Sequence, residues 1–481
     1  MRKTILSKLA GSVLTVIFAV TAITPSALAA GFEFSPVTGP QNIILSFTGT
    51  PGEVAVTWWD VNTTDYMPVL LCNEDSPDFT GAGKIYAEKV FSDIQNRFSV
   101  YTAVIRGISA GGTFRYAIET ESGMTKPVSF TMPAEEESDF SFLYLGDVQA
   151  SGTDELEAWG EMTGGAYEAN PDIKFGIIGG DLVNNGQTIT EWQALLGRAS
   201  GVFSRIPLMT VPGNHESNHS SGKPKMYTDL LNLPENGPSG FPEEFYSFDY
   251  GDAYFLMLNS NVFLNEQLNA GSMTEADFDR IKSWMASDLA ASDAAWKIVV
   301  MHHPAYEVVG DSAARKVMSE WAPVFEKAQV DLVFCGHQHV YMRTEPMYEN
   351  RIDHDNGITY VMGNSGSKFY PKSNVFYSAV MLENTSTYQV VNVSGGLLEV
   401  RSFDKNHELV DSYTAGPKNR PQEPESSVRG DIDGDNAITR ADVRLVILAI
   451  LGRDYENMAM DVDENGVIDI RDAHLIALMC G

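Results

Sequence analysis

The sequence is poor in cysteine and in basic residues. Its 481 residues include three cysteines, Cys72, Cys335 and Cys480, and its 33 Lys and Arg face 64 Asp and Glu for a formal net charge of −31. Three scattered cysteines do not make a disulfide framework. The acidity argues against a nucleic acid as binding partner, because phosphate backbones are held by Lys and Arg. A phosphate-bearing substrate stays open if bound cations supply positive charge.

Long apolar runs are missing except near the start. Arg2, Lys3 and Lys8 precede an apolar stretch over 9–23, and Ala27-Leu28-Ala29 matches a small-residue cleavage site. This pattern predicts a signal peptide over residues 1–30 and therefore a secreted, extracellular protein. A membrane anchor is the alternative, but the run is short for a span. No later stretch reaches that length, so no membrane partner is expected.

The rest of the chain divides into regions of different pattern. Residues 31–134 contain short alternating strands without a cluster of titratable side chains, which predicts an all-β sandwich. Residues 139–413 alternate short apolar runs with helical stretches, which predicts an α/β sandwich domain. A Pro-rich linker is predicted over 414–428. Residues 429–481 then form a compact acidic module with an internal repeat, predicted to be small and α-helical.

Five short apolar runs in the α/β region each end in polar side chains. These ends read, in chain order, Gly146-Asp147-Val148-Gln149, Gly179-Gly180-Asp181, Gly213-Asn214-His215-Glu216, His302-His303 and Gly336-His337-Gln338-His339. Loops leaving the carboxyl ends of strands in an open α/β sheet meet at one crevice, so a single site is expected. Carboxylate, amide oxygen and imidazole donors suit Fe, Mn or Zn, and the lack of a thiolate set argues against a structural zinc site.

The order GD, GGD, GNHE, VxxH and GHxH resembles the calcineurin-like metallophosphoesterases, over residues 139–413. The spelling of 213–216, 299–302 and 336–341 looks most like the purple acid phosphatase branch of that family. The preceding β region resembles the fibronectin-like N-terminal domain of the same branch, chiefly through 101–116. The resemblance implies a hydrolase of phosphoric esters, acid phosphatase-like, that acts on monoesters.

The resemblance also implies which residues hold two metals. Metal one would be bound by Asp147, Gln149, Asp181 and His339, and metal two by Asp181, Asn214, His302 and His337. Asp181 would bridge the two ions. His215 would stay off the metals as the catalytic side chain that faces the phosphate. Such a pair of metals activates a water for in-line displacement at phosphorus.

Two positions depart from the family pattern. Gln149 stands where the wider family has a histidine, and Asn184 stands where the purple branch has a tyrosine. Without that tyrosinate the protein is not expected to be purple, and Fe, Mn and Zn all stay open. Arg343 and Lys368 are candidates to meet an anionic substrate, with an ordinary surface role as the alternative. Two other functions stay open: a phosphodiesterase or nucleotidase on the same centre, or a binding protein whose centre is degenerate.

The C-terminal module contains two twelve-residue loops with oxygen donors at calcium-loop spacing. The donors are Asp431, Asp433, Asp435, Ala437, Thr439 and Asp442 in the first loop, and Asp461, Asp463, Asn465, Val467, Asp469 and Asp472 in the second. Ala437 and Val467 would contribute backbone carbonyls. Each loop leads into an apolar helix. The spacing predicts two bound Ca²⁺ ions.

Both loops end in Asp, and no entering helix precedes the first, unlike an EF-hand. This duplicated pattern after a Pro-rich linker resembles a type I dockerin over residues 429–481. The resemblance implies that the module binds a cohesin domain of a scaffoldin, in a cellulosome-like assembly. Arg440-Ala441 and Ile470-Arg471 occupy the positions that dockerins use for partner choice. The alternative is calcium bound for stability alone.

Overall fold

The computed structural model describes residues 31–61, 69–74, 79–107, 109–121, 123–134, 137–217, 222–267, 273–371, 373–394, 396–416, 438–450, 462 and 470–480. The chain divides into two compact units between Ala415 and Gly416. The predicted signal peptide over 1–30 and residues 417–428 of the predicted linker lie outside the described residues.

The N-terminal part of the first unit is rich in β-sheet, as its alternating patterns predict. Its strands are β1 Gln41–Phe47, β2 Val54–Val61, β3 Val69–Glu74, β4 Gly83–Tyr86, β5 Glu88–Asp93, β6 Phe98–Ile105, β7 Thr113–Thr120, β8 Gly123–Met124 and β9 Val128–Thr131. One sheet has the order β1-β2-β6-β5, and the other has β4-β3-β7-β8 with β9 beside β7. Along β7, Phe114, Tyr116 and Ile118 are buried, which is the period of a strand with one face on a core.

The remaining strands of the first unit form two larger sheets and a short hairpin. They are β10 Phe140–Leu145, β11 Ile173–Ile178, β12 Leu208–Thr210, β13 Tyr246–Tyr250, β14 Ala253–Leu258, β15 Trp296–Met301, β16 Leu332–Cys335, β17 Tyr341–Thr344, β18 Met347–Tyr348, β19 Arg351–Ile352, β20 Thr359–Met362, β21 Ser378–Leu382, β22 Thr387–Ser394, β23 Leu397–Asp404 and β24 Leu409–Ala415. One sheet has the order β12-β11-β10-β22-β23-β24, and the other has β13-β14-β15-β16-β20-β17-β21. The stretches β10-β11-β12 and β14-β15-β16-β20 are parallel.

The two larger sheets pack against each other through aromatic side chains. The ring of Phe142 on β10 lies 5.2 Å from that of Phe255 on β14, and the ring of Tyr144 stacks 4.3 Å from that of Phe334 on β16. All four residues are buried. Strands buried in this way read as continuous apolar runs, which is why the sequence shows them clearly.

Helices cover the sheets of the first unit. They are α1 Thr153–Ala169, α2 Ile189–Phe203, α3 Lys225–Leu230, α4 Val262–Gln267, α5 Glu275–Ala291, α6 Ser312–Glu320 and α7 Ala322–Lys327. The sequence Thr274-Glu275-Ala276-Asp277 predicts the start of a helix, and this start is confirmed because Thr274 caps α5 in a reciprocal capping box with Asp277. The helical pattern over 313–327 predicts one helical stretch, which is wrong, since the structure has two helices that meet at Trp321. Pro323 has no backbone N–H and its ring would clash with a carbonyl of α6, so it cannot continue that helix, but it suits the first turn of α7.

The N-terminal sheets and the α/β part share one apolar core. A single buried cluster includes Trp58 and Tyr116 together with Phe142 and Trp192. The Tyr116 hydroxyl donates a hydrogen bond of 2.6 Å to the carbonyl of Ser204, which follows α2. Because one apolar cluster extends through both, the two parts support each other.

The second unit is described over two helices and one further residue. These are α8 Arg440–Ile450, α9 Ile470–Met479 and Val462. Val446, Val462, Ala473 and Ile476 form its small core. Across both units, no described helix has the length and apolarity that a membrane span requires.

Three of the twelve predicted calcium donors are described. Asp442 and Asp472, the last position of each loop, are buried. Asp442 accepts a hydrogen bond of 2.7 Å from the backbone N–H of Thr439, and Asp472 accepts one of 2.8 Å from that of Val462. In both cases the last carboxylate of the loop sequence holds a backbone N–H of the same loop sequence. The other nine donors lie outside the described residues, so calcium binding stays a prediction.

Candidate metal centre

Seven predicted metal-binding residues and His215 lie on loops that leave the carboxyl ends of five strands. Asp147 and Gln149 follow β10, Asp181 follows β11, Asn214 and His215 follow β12, His302 follows β15, and His337 and His339 follow β16. The five strands belong to two sheets, three in one and two in the other. The crevice therefore lies where the ends of two packed sheets meet, and not at the edge of one open sheet.

Five of these side chains stand on left-handed backbone. The φ angles are +37° at Asp147, +33° at Gln149, +48° at Asp181, +74° at His337 and +47° at His339. Such a conformation is unfavourable for residues with a Cβ, at about 1–3 kcal/mol each, and it persists where function requires it. The sharp turns aim successive side chains of each loop into the same crevice.

Glycine is required beside two of the carboxylates because the chain segments approach closely. A Cβ on Gly213 would lie 2.2 Å from the backbone nitrogen of Asp181. A Cβ on Gly336 would lie 2.4 Å from a carboxylate oxygen of Asp147. Neither contact leaves room for a methyl group. Gly213 thus allows two loops of the same sheet to approach, and Gly336 allows loops of the two sheets to meet.

Asp181, His302 and His337 form a first group of donors whose ligand atoms all lie within 4.8 Å of one another. The side-chain oxygen of Asn214 lies 2.9 Å from Nδ1 of His337 and 3.2 Å from Nε2 of His302. This is the set of side chains predicted for metal two. The structure brings all four together.

The outer hydrogen bonds of the two histidines fix which ring nitrogen faces the centre. His302 donates from Nδ1 to the carbonyl of Gly179 at 3.0 Å, and His337 donates from Nε2 to the carboxylate of Asp311 at 2.5 Å. In the neutral rings the opposite nitrogens are then lone pairs, and both point at the Asn214 oxygen. Lone pairs that face one another repel unless a proton or a metal ion lies between them. The first group therefore fits a metal ion.

Asp147, Asp181 and His339 form a second group, with all ligand atoms again within 4.8 Å and all three residues buried. Asp181 belongs to both groups, as the predicted bridge requires. Nδ1 of His339 lies 3.3 Å from the side-chain oxygen of Asn364, and both oxygens of Asp147 accept from the backbone N–H of His337. Carboxylate and imidazole donors suit Fe, Mn or Zn.

Gln149, the fourth side chain predicted for metal one, has its oxygen on another partner. That oxygen accepts from the Lys368 ammonium at 3.2 Å. The amide nitrogen of Gln149 lies 2.6 Å from Nε2 of His215 and 3.4 Å from the side-chain oxygen of Asn184. The structure thus places Gln149 at the centre, between a lysine and the predicted catalytic histidine.

The two buried carboxylates of the centre, Asp147 and Asp181, have pKa values shifted in opposite directions. Burial raises the pKa of Asp147 to about 7, with His302 opposing the rise and Asp181 adding to it. Burial works against ionisation of Asp181 as well, but the neighbouring imidazoles of His302, His215 and His337 hold its pKa well below the ordinary value. Positive charge is therefore needed between these groups, and metal ions would supply it.

His215 lies beside the two groups and belongs to neither. Its backbone N–H donates to Asp181 at 3.0 Å, and its ring donates from Nδ1 to the carbonyl of Asn184 at 2.5 Å. Nε2 is 4.0 Å from the second oxygen of Asp181, and the side chain is 27% exposed. The ring is thus positioned at the mouth of the centre, where a substrate would arrive.

Sequence patterns missed several residues that hold the donors in place. Asp311 had no predicted role, and no sequence pattern indicates its bond to His337. Glu216 is visible in the GNHE motif but had no assigned role: its buried carboxylate accepts from the backbone N–H of Val183 and of Gly213. The amide of Asn261 donates to the carbonyls of Pro212 and Gly213, and no sequence signal marks it.

Arg343 and Lys368, the two basic candidates for substrate contact, have different surroundings. Arg343 binds both carboxylate oxygens of Asp411, at 2.7 and 3.1 Å, and both side chains are largely buried. It is therefore committed to the fold. Lys368 is exposed and lies beside Gln149.

Comparisons with known proteins agree with this geometry. Residues 140–341 match the family model described as calcineurin-like phosphoesterase. Purple acid phosphatase 23 of Arabidopsis thaliana is 29% identical over 187 residues, which is 37% of this chain and 38% of that protein. Acid phosphatase type 7 of Mus musculus is 22% identical over 352 residues, covering 67% of this chain and 74% of that protein. The alignments to the first curated relatives span 35–38% of their length.

Solved structures show the same fold. Purple acid phosphatase PPD1 from yellow lupin (Lupinus luteus) seeds superposes with a TM-score of 0.65 at 18% identity, over 80% of this chain and 75% of that one. PhoD superposes with a TM-score of 0.58 at 11% identity, over 80% of this chain and 92% of that one. The sheet-rich N-terminal part and the α/β part together fit these neighbours. Residues 140–341 are thus similar to calcineurin-like phosphoesterases, and a wider part of the chain is similar to purple acid phosphatases.

Proposed function

We propose that the protein hydrolyses phosphate monoesters at a two-metal centre. The observation that carries this is the shared carboxylate: Asp181 belongs to both donor groups, and every ligand atom within a group lies within 4.8 Å of the others. Two ions held by one bridging carboxylate are suited to clamp a phosphoryl group. The similarity to two proteins named as acid phosphatases supports a monoester substrate.

The metals would be held by the side chains described above, and they would supply Lewis acidity and a water of lowered pKa. The chain's own groups do the rest. Asp181 holds the two positions together, while Gly179 and Asp311 orient the imidazoles of His302 and His337. His215, at the mouth, is positioned to donate a proton or a hydrogen bond to the leaving or phosphoryl oxygen.

The test is the initial rate on an aryl phosphate monoester and on the matching diester, with Mn²⁺, Zn²⁺ or Fe supplied. We expect faster hydrolysis of the monoester. Faster hydrolysis of the diester would replace the proposal with a phosphodiesterase. Bound metal without turnover of either substrate would favour a binding protein.

The same assay with Asp181→Asn tests the bridge. We expect a loss beyond roughly 100-fold together with lower metal content, since even partners outside the ligand set are worth 10–100-fold. Asp154→Asn removes an exposed carboxylate in the first turn of α1 and is the matched control. An Asp181→Asn variant that keeps its rate would contradict the assignment of the bridge.

We further propose that the protein is secreted and is held by its C-terminal module to a cohesin domain. The two calcium-loop sequences support the second part of this proposal, as do the buried carboxylates of Asp442 and Asp472, each of which accepts a backbone hydrogen bond. The test is binding of the full chain to a panel of cohesin domains with Ca²⁺ and with a chelator. Calcium-dependent capture is expected, and a chain that binds no Ca²⁺ would contradict the proposal.

A further inference from the structure

The two positions that depart from the family pattern lie against each other. The side-chain oxygen of Asn184 is 3.4 Å from the amide nitrogen of Gln149, and the Gln149 oxygen is 3.2 Å from Nζ of Lys368. The three residues come from separate parts of the chain. Their side chains form a continuous row of hydrogen-bonding groups beside the predicted ligands of metal one.

The loop that carries Lys368 is anchored on the predicted ligands of metal one. Asn364 contacts His339 and donates to the carbonyl of Lys368 at 3.0 Å. The backbone N–H of Tyr370 donates to the carbonyl of His339 at 3.2 Å, and the two rings lie 4.9 Å apart. The ammonium of Lys368 also lies 5.2 Å from the centroid of the Tyr370 ring. The position of Lys368 is therefore set by the same residues that shape the centre.

The charge of Lys368 acts on the centre and is not neutralised by a partner. The ammonium lowers the pKa of both Asp147 and His339, although burial is the largest influence on each. Among the described residues, Lys368 forms no ion pair, in contrast to the buried pair of Arg343 with Asp411. An exposed cation held beside a site for anions is available to a ligand.

We propose that Lys368, held by Gln149, is a substrate-binding residue that donates a charge-assisted hydrogen bond to a phosphoryl oxygen. The inference rests on the proposed function and deepens it. A fixed positive charge at this position favours a dianionic phosphate monoester over a singly charged diester. Gln149 thereby gives the metal-one side of this centre a cation that a histidine at the same position would not hold.

The first measurement is the Kd of inorganic phosphate for the Mn²⁺-loaded full chain, by calorimetry. Lys368→Gln should weaken phosphate binding roughly 10- to 100-fold. Lys368→Arg should keep most of the affinity. The control is Lys225→Gln, because Lys225 is an exposed lysine on α3, paired with Asp229, and its loss changes the net charge equally. Metal content, measured on each variant, should stay unchanged.

The second measurement is kinetic. Lys368→Gln should raise KM and lower kcat/KM more for an aryl monoester than for the matching diester. Unchanged phosphate affinity in Lys368→Gln would overturn the inference. Loss of metal in that variant would overturn it too, since the lysine would then serve the fold of the centre. A wild-type protein that binds phosphate but hydrolyses neither ester would refute the proposed function and leave this inference standing.

Discussion

Asp311 uses its two carboxylate oxygens for different tasks. Oδ1 accepts from the backbone N–H of Ala313 at 2.7 Å and caps α6, and Oδ2 accepts from His337 at 2.5 Å. The imidazole holds the pKa of this carboxyl well below its ordinary value, although burial acts in the opposite direction. Because the outer partner of a metal-binding histidine fixes its tautomer, Asp311 is a positioning residue for the predicted metal two.

Asp311→Asn separates these two tasks. Asparagine keeps an oxygen for the helix cap but cannot accept the proton of His337 with its amide nitrogen. We expect the affinity of the protein for Zn²⁺ or Mn²⁺, measured by chelator competition, to fall roughly 10- to 100-fold. The free energy of unfolding should change little.

Thr274→Ala is the control for Asp311→Asn. It removes the cap of α5, which has no link to the centre. It should destabilise the protein by about 1 kcal/mol without changing metal affinity. Equal metal affinity in Asp311→Asn and in the unaltered chain would show that the carboxylate serves the helix alone.

At the scale of strands and helices, the sequence is most informative where burial is complete. The apolar runs over 140–145 and 332–335 each predict a buried strand, and both strands have those bounds. An apolar run bounded by glycine and polar residues permits little else. The polar ends of these runs also indicated the donors, because each donor directly follows its strand.

What the sequence could not indicate is the pairing of distant elements. It gave no sign that β10, β11 and β12 belong to one sheet while β15 and β16 belong to another. Gln149 and Lys368 are 219 positions apart, so only the completed topology makes them neighbours. The contact between Asp311 and His337 likewise depends on where α6 begins.

Two glycine-to-alanine changes test how closely the loops meet. Gly213→Ala places a methyl group 2.2 Å from the backbone of Asp181, so the loops must separate. We expect lost metal and a lower melting temperature. Gly201→Ala lies on α2 with open space around the new methyl, and it should stabilise the protein by about 0.5–1 kcal/mol.

Calorimetry and metal analysis of both glycine variants test whether the close approach of the loops is needed for metal binding and stability. A Gly213→Ala protein with full metal content would mean that the two loops can separate without moving Asp181. The Gly201→Ala protein should keep its metal and its rate, since no donor contacts that part of α2.

For the whole molecule, the division between Ala415 and Gly416 predicts two thermal transitions. The sheet-rich N-terminal part should unfold together with the α/β part, because they share one core. A calcium chelator should lower or abolish only the transition of the C-terminal unit, since binding of Ca²⁺ by its predicted loops would be coupled to their folding.

Calorimetry of the full chain, with and without a calcium-selective chelator, makes this test. Phosphatase rates under the same conditions report on the first unit and should hold when that chelator leaves the metal centre loaded. One transition that shifts as a whole would contradict the independence of the two units.

The left-handed backbone at five predicted ligands places stability and function under opposing selection. Glycine at Asp147, Gln149, Asp181, His337 or His339 would relieve conformational strain, yet it would delete a side chain of the centre. A library of variants selected only for heat resistance should therefore accumulate glycine at these positions, while one selected for turnover should exclude it. At these strained positions, substitutions that raise thermal stability are therefore expected to lower activity.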